Sequence, residues 1–367
     1  MIALAAARAV ASRALRAAGV PAEPATRTAD LLVTAEAWGV GSHGLLRLPR
    51  YLARLAAGGV RADAELEVRR DSGVVLAYDG HDGLGHWQLW QAAEEAAVRA
   101  RRHGVAVASV GRSSHCGALG LYTAPGLRHG LATLVVSTGP AVMAPPGGAV
   151  PLLSTSPIAV GIPAPGGHAI VDLATSAVAR GRIAAAARSG RPLPEGWAVD
   201  SAGVPTTDPA AALGGMLAPL GGAKGFALAV AVEALAGAVV GPNLAVDVAD
   251  IFDPARDAEP QGIGHLLVVI DPGVLDVDGA GPDRIARLLT TVAEVGGHVP
   301  GAARILPGEL PDDLPLEVPD TLVDELRSWG EHDPSVPAGP SSAGGTEPGA
   351  AGASTPLSSG HDDALHP

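Results

Sequence analysis

The amino-acid sequence predicts an α/β fold, because short apolar stretches alternate with longer amphipathic ones along most of the chain. The short stretches are rich in Val, Leu and Ala, which is typical of buried strands, as in VAVASV over 105–110. The longer ones repeat apolar residues at helical spacing and end at glycines, as in 86–102 before Gly104. With 47% hydrophobic residues, the 367-residue chain can bury a large core.

The beginning of the chain is predicted to be helical. Apolar residues recur there at helical spacing, and the third predicted helix contains Pro49, which can delay or kink it. The three helices are expected over residues 3–18, 24–38 and 45–58. We therefore predict an N-terminal helical segment over 1–72.

Strands and helices alternate after residue 72. Strands are predicted over 74–79, 105–110, 131–137, 169–174 and 265–271, and helices over 86–102, from Gly221 through FALAVAVEALAGAV, and over 283–295. This order predicts an α/β domain over 73–282 and a C-terminal helical segment over 283–330 that packs with the N-terminal one. Residues 331–367 are rich in Pro, Gly, Ser and Ala, and we predict a disordered tail there.

Composition excludes several classes of protein. The net charge is −13 without a basic cluster, which argues against a nucleic-acid partner. No apolar run is expected to cross a bilayer, and the first residues lack the basic region of a signal peptide, so no membrane partner is predicted. The single cysteine, Cys116, excludes an internal disulfide and indicates a cytoplasmic protein. The histidines form no H-x-x-x-H pattern, so no metal is expected.

The glycines do not form the dinucleotide-binding pattern of a Rossmann fold. The loop 80–85 is spaced G-x-x-G-x-G, and no G-x-G-x-x-G lies between a strand and a helix. Lys224 lies in GGAKGF, which lacks the remaining residues of a phosphate-binding P-loop. It is nevertheless the one lysine among 25 lysines and arginines, which suggests a position that needs a compact ammonium group.

Ser42, His43 and Arg47 form the first group of residues that could carry chemistry. His43 and Arg47 are four residues apart, so on a helical turn they point the same way. A histidine exchanges a proton near neutral pH, and an arginine binds a carboxylate through two hydrogen bonds. The alternative is a surface helix start, with Ser42 as its N-cap and Arg47 in solvent.

Two further groups follow predicted strands. His115, just after 105–110, is a candidate proton donor or substrate ligand, and the adjacent Cys116 is either a nucleophile or an apolar filler. Asp172 ends the strand 169–174 and precedes Thr175 and Ser176. Such a strand end can present backbone N–H groups and hydroxyls to phosphates or a ribose, although the same residues also cap ordinary helices.

These segments, taken in order, resemble one family over about residues 1–310. The matching motifs are SHGLLRLPRY (42–51), YDGHDGLGH (78–86), SSHCG (113–117), TSPIAVGIP (155–163), VDLATSAVARGRI (171–183), PEGWAVDSAGVPTTDP (194–209), LGGAKGF (220–226), GIGHLLVVID (262–271) and LPGE (306–309). The family is the type 2 malate/L-lactate dehydrogenase superfamily. It also includes ureidoglycolate, sulfolactate and diketogulonate oxidoreductases and piperideine- and pyrroline-2-carboxylate reductases.

The resemblance implies a non-Rossmann NAD(P)-binding domain with a mixed sheet, a helical domain built from both chain ends, and a homodimer. It also implies the roles of particular residues. The active-site histidines would be His43 and His115, the substrate contacts Ser42 and Arg47, and the cofactor contacts Asp172, Ala174, Thr175, Ser176, Lys224, Gly225, Pro307, Gly308 and Glu309.

The predicted function is therefore NAD- or NADP-dependent hydride transfer to or from a small 2-oxo or 2-hydroxy acid. The alternatives are a cyclic imine reductase and an inactive dimeric scaffold. Some positions depart from the family pattern. Arg112 and Cys116 replace its usual Asn and Phe, Ser154 and Ser156 replace residues of Gly-Thr-Asn-Pro, and 240–262 is short. The smaller Cys116 would enlarge the space beside His115.

Overall fold

The computed structural model describes residues 1–331, so the tail predicted from residue 331 lies outside the described residues apart from Glu331, which ends the last helix. The strands are β1 (Ile2–Ala3), β2 (Glu67–Asp71), β3 (Val75–Asp79), β4 (Val105–Ser113), β5 (Ala132–Ser137), β6 (Ile158–Ala164), β7 (Gly167–Leu173), β8 (Ala198–Val199), β9 (Pro205–Thr206), β10 (Met216–Leu217), β11 (Ile263–Ile270) and β12 (Pro315–Leu316).

Helices lie between these strands and at both ends of the described chain. They are α1 (Leu4–Ala17), α2 (Ala22–Ala37), α3 (Leu48–Ala57), α4 (Gly85–His103), α5 (Ala124–Leu127), α6 (Arg180–Ser189), α7 (Pro209–Leu213), α8 (Ala223–Val232), α9 (Pro272–Leu275), α10 (Gly281–Glu294) and α11 (Asp320–Glu331). A π-helical stretch, Glu233–Val240, continues α8, and two 3₁₀ turns, Gly41–His43 and Leu45–Arg47, precede α3.

A seven-stranded mixed sheet forms the centre, in the order β2-β3-β4-β11-β5-β6-β7. Only β3 and β4 pair in parallel, whereas β11 pairs antiparallel with both β4 and β5. A Rossmann sheet is mostly parallel, so this pairing confirms the predicted non-Rossmann α/β fold class. The late strand β11 lies in the middle of the sheet because its alternate side chains, such as Leu267 and Val269, are fully buried.

Helix α4 packs on this sheet and ends where the sequence predicts. Gly104 follows it in the left-handed conformation, with φ of 82°, and its N–H donates to the Ala100 carbonyl. The buried face of the helix carries Leu89, Trp90 and a row of alanines, which join the sheet residues in the largest hydrophobic cluster. Small side chains on this face let the helix lie close to the strands.

The two ends of the described chain meet in a second hydrophobic cluster. Helix α1 packs against α2 and α11, and Ile2 pairs with Leu316 across β1 and β12. Helix α10 instead lies beside β6 and has no buried residue. The division into segments 1–72, 73–282 and 283–330 stays a prediction, although α11 contacts α1 as that division expects.

Two stretches differ from the local predictions. Residues 67–71, which we included in the helical segment, form the edge strand β2 instead. All five of its residues are exposed and it pairs on one side only, so it lacks the alternation of buried and exposed residues that marks a strand. The third helix begins at Leu48, after the two 3₁₀ turns, with Pro49 in its first turn where a missing N–H costs nothing.

The helix over Ala223–Val240 is long and apolar enough to cross a membrane by length and composition, which corrects the expectation that no such run exists. Its inner face packs on β11 and β5. There the buried Glu233 carboxylate accepts hydrogen bonds from the Thr138 hydroxyl at 2.7 Å and the Ala245 N–H at 2.7 Å. About 33% of this helix is therefore buried in the fold, and its apolar outer face is exposed among the described residues.

Candidate active site

A cavity of about 300 Å³ lies where strand ends meet the turns before α3. It is lined by parts of 40–47, 115–119, 137–142, 154–157, 172–174, 179–181 and 250–252, and by Arg304. Most of its wall is apolar, and a few charged and hydroxyl groups converge on it. This composition is typical of a binding site for a small organic molecule.

The two 3₁₀ turns bring Ser42, His43 and Arg47 to this cavity together. The Arg47 guanidinium donates to the Ser42 carbonyl from Nε at 3.2 Å and from Nη2 at 2.8 Å, and it lies 4.3 Å from the centre of the Phe252 ring. Ser42 caps no helix, and its hydroxyl lies 3.0 Å from His43 Nδ1. The structure therefore does not place Ser42 as a helix N-cap, and it places Arg47 at the cavity and not in open solvent.

His115 faces the same cavity from the end of β4. Its ring stacks on that of His43 with 5.8 Å between centroids, and its Nδ1 lies 2.7 Å from the Tyr51 hydroxyl. Burial, together with the charge of Arg47, lowers the pKa of His43 to about 4. Burial and the neighbouring His43 and Arg47 also hold the pKa of His115 well below its usual value. Both imidazoles are therefore neutral near pH 7.

Asp172 lines the cavity from the end of β7, as predicted. Its carboxylate accepts from the Gly120 N–H at 2.9 Å. Burial raises its pKa, while Gly120 and the charge of Arg304 act in the opposite direction. Ala174 also lines the cavity. The Thr175 and Ser176 hydroxyls do not, because they donate to nearby backbone carbonyls and so stabilise the loop that follows the strand.

The other predicted cofactor residues lie outside the cavity. Lys224 is exposed in the first turn of α8, and its ammonium bonds to no described residue. Gly225 is buried where a Cβ would come within 2.1 Å of the Leu220 carbonyl oxygen. Arg128 contacts the Pro307 carbonyl and pairs with Glu309 at 3.1 Å, and Gly308 borders a separate, open surface depression. The structure does not bring these residues to His43 and Arg47.

Several cavity residues escaped the sequence analysis. Arg180 and Asp250 form an ion pair at 2.9 Å beside Phe252, and Arg304 stacks over Trp38 at 4.7 Å. Arg180 had a signal, since it follows the Asp172 motif within a few residues. The residues of 250–252 had none, because the stretch 240–262 shows no regular pattern.

The positions that depart from the family pattern have structural explanations. Arg112 turns away from the cavity and bonds to Asp79 and His81, which together with Glu67 form a cluster of potential metal ligands at the sheet edge. Cys116 lines the cavity but is buried, and burial raises the pKa of its thiol to about 12. A thiol with a raised pKa stays protonated near pH 7, which favours the apolar filler over the nucleophile.

The residues of this cavity fit a nicotinamide cofactor. Arg304 Nη1 is buried without a hydrogen-bond partner among the described residues, and it lies beside Asp172 on the cavity wall. Asp172, Ala174 and Arg304 are the residues that would hold the cofactor, which supplies or accepts a hydride. A non-Rossmann fold with these groups around one cavity is compatible with the class of NAD(P)-dependent oxidoreductases.

The family model for malate/L-lactate dehydrogenase matches residues 2–313, and the chain belongs to that family. It is 39% identical over 331 residues to the (2R)-3-sulfolactate dehydrogenase (NADP(+)) of Chromohalobacter salexigens, covering 90% of this chain and 98% of the relative. It is 37% identical over 302 residues to a Delta(1)-pyrroline-2-carboxylate/Delta(1)-piperideine-2-carboxylate reductase of Pseudomonas aeruginosa, covering 81% and 90%. The enzyme class and the NAD(P) cofactor are thereby confirmed.

Solved structures agree with this assignment. The delta1-piperideine-2-carboxylate reductase of Pseudomonas syringae superposes with a TM-score of 0.81 at 32% identity, covering 90% of this chain and 99% of that one. The sulfolactate dehydrogenase of Methanocaldococcus jannaschii superposes with a TM-score of 0.78 at 30% identity, covering 90% and 96%. The mixed-sheet fold is therefore that of these dehydrogenases and reductases.

Proposed function

We propose that this enzyme transfers a hydride between NAD(P)H and a small 2-oxo or 2-hydroxy acid. The observation that supports this most is the convergence of Arg47, His43 and His115 on one largely apolar cavity. A guanidinium binds the substrate carboxylate, and a neighbouring imidazole interacts with the adjacent carbonyl or hydroxyl oxygen. The relatives named as sulfolactate dehydrogenases support this substrate class.

The residues of the cavity would bind the substrate, exclude water and interact with the reacting oxygen. Arg47 holds the carboxylate, and its two hydrogen bonds to the Ser42 carbonyl with the Phe252 ring fix the plane of the guanidinium. The apolar wall excludes water from the reacting carbon. Reduction adds a hydride to the carbonyl carbon and a proton to its oxygen, so one of the two histidines must serve that oxygen.

A cyclic imine carrying a carboxylate is the second candidate substrate. The depressed pKa values of His43 and His115 favour it, because both groups are neutral at pH 7 and an iminium ion arrives already protonated. Relatives named as pyrroline- and piperideine-2-carboxylate reductases support the same alternative.

An inactive scaffold is a weaker hypothesis. The chain keeps His43, Arg47, His115 and Asp172 around one cavity, and a protein freed from catalysis has no need to bury these costly polar groups together. A cofactor-dependent rise in melting temperature would count against the scaffold, because a ligand that binds only the folded state stabilises it.

We further propose that the enzyme is a cytoplasmic homodimer. The outer face of α8 and its π-helical continuation exposes large apolar side chains, among them Leu228 (49%), Leu235 (44%) and Val239 (74%). An exposed apolar face of this kind raises the free energy of the protein in water unless another chain covers it, and most soluble homo-oligomers are twofold dimers. Lys224 and the segment 307–309 stay proposed cofactor contacts, remote from the reacting carbon.

The experiment that tests the proposed function follows nicotinamide absorbance. Purified enzyme is mixed with NADH or NADPH and with a panel of 2-oxo acids together with piperideine- and pyrroline-2-carboxylate. Cofactor oxidation with a 2-oxo acid supports the first candidate, and oxidation with the imines alone supports the second. If the folded protein oxidises neither cofactor with any compound and gains no thermal stability from either, the proposal is contradicted.

A further inference from the structure

Two hydrogen-bond donors meet at Nδ1 of His115. The backbone N–H of Gly117 donates to this nitrogen at 3.2 Å, and the Tyr51 hydroxyl lies 2.7 Å from it. A backbone N–H can only donate, so Nδ1 must offer its lone pair. The Tyr51 hydroxyl then also donates to Nδ1, and the hydrogen of the neutral imidazole is on Nε2.

The other nitrogen of the ring is free to bind substrate. Among the described residues none forms a hydrogen bond with His115 Nε2, and the ring lines the cavity that also contains Arg47. We propose that Tyr51 is a positioning residue that holds His115 as the Nε2–H tautomer, so that His115 presents a hydrogen-bond donor to the substrate oxygen or imine nitrogen. This inference rests on the proposed function for the identity of that acceptor.

The surroundings of Tyr51 suit such a role. The side chain is 1% exposed and comes from the first turn of α3, just after the 3₁₀ turn that ends at Arg47. Its ring packs edge-on against His86 with 4.8 Å between centroids and lies 5.9 Å from the His115 ring. Among the described residues its hydroxyl bonds only to His115. The hydrogen bond to His115 is therefore the interaction that compensates for the burial of this hydroxyl.

The tautomer assigns different roles to the two histidines. As the hydride forms the new C–H bond, the electron pair of the C=O bond moves to oxygen, and a neutral Nε2–H stabilises that oxyanion without being transferred. The oxygen then takes one proton that originates in solvent. His43 can pass on this proton, because among the described residues its Nδ1 bonds only to the Ser42 hydroxyl, which can donate or accept and therefore permits either tautomer.

Nitrogen NMR tests the tautomer directly on the full-length enzyme without any substrate. The protein is labelled with ¹⁵N in its histidine rings, and the His115 signals are identified as those lost in the His115→Gln variant. We expect Nδ1 to give the signal of an unprotonated, hydrogen-bonded nitrogen and Nε2 that of a protonated one. A proton on Nδ1 in the wild-type enzyme would overturn the inference, whatever the enzyme's substrate is.

Two tyrosine variants test the positioning role. In Tyr51→Phe we expect the Nδ1 signal to move toward that of a nitrogen without a hydrogen bond, and kcat to fall about 10- to 100-fold with KM changing less than about threefold. Tyr78→Phe is the matched control, because this buried tyrosine lies on β3 and forms no hydrogen bond with a histidine among the described residues. It should leave the His115 signals and kcat unchanged.

The outcomes are separable from those of the proposed function. If Tyr51→Phe keeps the wild-type kcat, or if Tyr78→Phe lowers it equally, Tyr51 has only a structural role and the inference is wrong. If no substrate is found, the wild-type NMR spectrum still decides the tautomer. That spectrum also keeps the inference testable if Tyr51→Phe does not fold.

Discussion

At the scale of single residues, the site depends on short-range geometry. Ser42, His43 and Arg47 lie on consecutive 3₁₀ turns, and the Arg47 guanidinium folds back onto the Ser42 carbonyl. The spacing of His43 and Arg47 therefore predicted their common direction, even though the turns are 3₁₀ and not α-helical. The burial that lowers the pKa of His43 could not be predicted, since it depends on elements distant in sequence.

Replacing Arg47 tests whether it binds the substrate carboxylate. We expect Arg47→Ala to lower kcat/KM by the equivalent of about 2–5 kcal/mol, because a buried carboxylate would lose its charged partner. The measurement is steady-state kinetics with the best substrate of the panel. Arg61→Ala is the control, since the Arg61 side chain is exposed and its guanidinium lies 3.7 Å from the exposed Asp63 carboxylate. Equal effects of the two substitutions would remove Arg47 from the substrate site.

At the scale of elements, helix α3 connects the site to a segment about two hundred residues later. The fully buried side chain of Arg54 donates to the Arg256 carbonyl at 3.1 Å, contacts the Glu259 carbonyl and lies 3.7 Å from Asp257. These bonds anchor the irregular stretch that carries Phe252 to the cavity. Burial lowers the pKa of Arg54, and Asp257 partly offsets this effect.

Replacing Arg54 should therefore affect both stability and binding. We expect Arg54→Leu to lower the free energy of unfolding by about 3–5 kcal/mol, because it leaves buried partners without their charge. Loosening of the segment around Phe252 should also raise KM more than it lowers kcat. Denaturant titration and steady-state kinetics provide the two measurements. A change in stability with KM unchanged would show that this anchor does not support the cavity.

The outer face of α8 permits a test of the proposed homodimer. We expect Leu235→Glu to convert the dimer to a monomer, because a carboxylate buried between two apolar faces would be desolvated without a partner. Light scattering at several protein concentrations measures the mass. Val98→Glu on α4 is the control, since Val98 has a similar exposure of 40% and lies on another surface. A wild-type monomer at all concentrations would refute the proposal.

At the scale of the whole molecule, buried histidines make stability depend on pH. His86 and His265 are fully buried, and burial lowers their pKa values to about 3 and about 4. In the unfolded chain a histidine has a pKa of about 6.5, so below this pH the unfolded state binds more protons than the folded state. Stability is therefore complete above about pH 6.5 and is lost as the pH falls toward the folded-state values.

His86 offers the clearest measurement of this effect. Its two ring nitrogens have no hydrogen-bond partner among the described residues. Between pH 6.5 and the folded-state pKa of His86, the unfolding free energy of the wild type falls as the pH falls. We expect it to fall by about 1.4 kcal/mol per pH unit less in His86→Phe. Trp90→Phe is the control, because it removes another unpartnered buried N–H from α4 without removing a titrating group. If the unfolding free energy depends on pH with the same slope in the wild type and in His86→Phe, the expected effect of His86 burial is contradicted.

The sequence by itself determined the fold class, five of the seven strands of the central sheet and most of the longer helices, and it identified the residues that we propose carry the chemistry. Local periodicity identified α4 and β4 because their buried faces follow from residues close in sequence. The motifs around His43, His115 and Asp172 were sufficient to predict an NAD(P)-dependent oxidoreductase. They did so because the resemblance extended over the ordered motifs of nearly the whole fold.

The tertiary structure alone decided which of these groups share a cavity and in what state they lie there. The central position of β11, the contribution of Asp250, Phe252 and Arg304, and the hydrogen bond between Tyr51 and His115 all join residues far apart in sequence. Such contacts depend on how whole elements pack, and a local hydrophobic pattern does not contain that information. Burial within the packed core then sets the pKa values of the histidines.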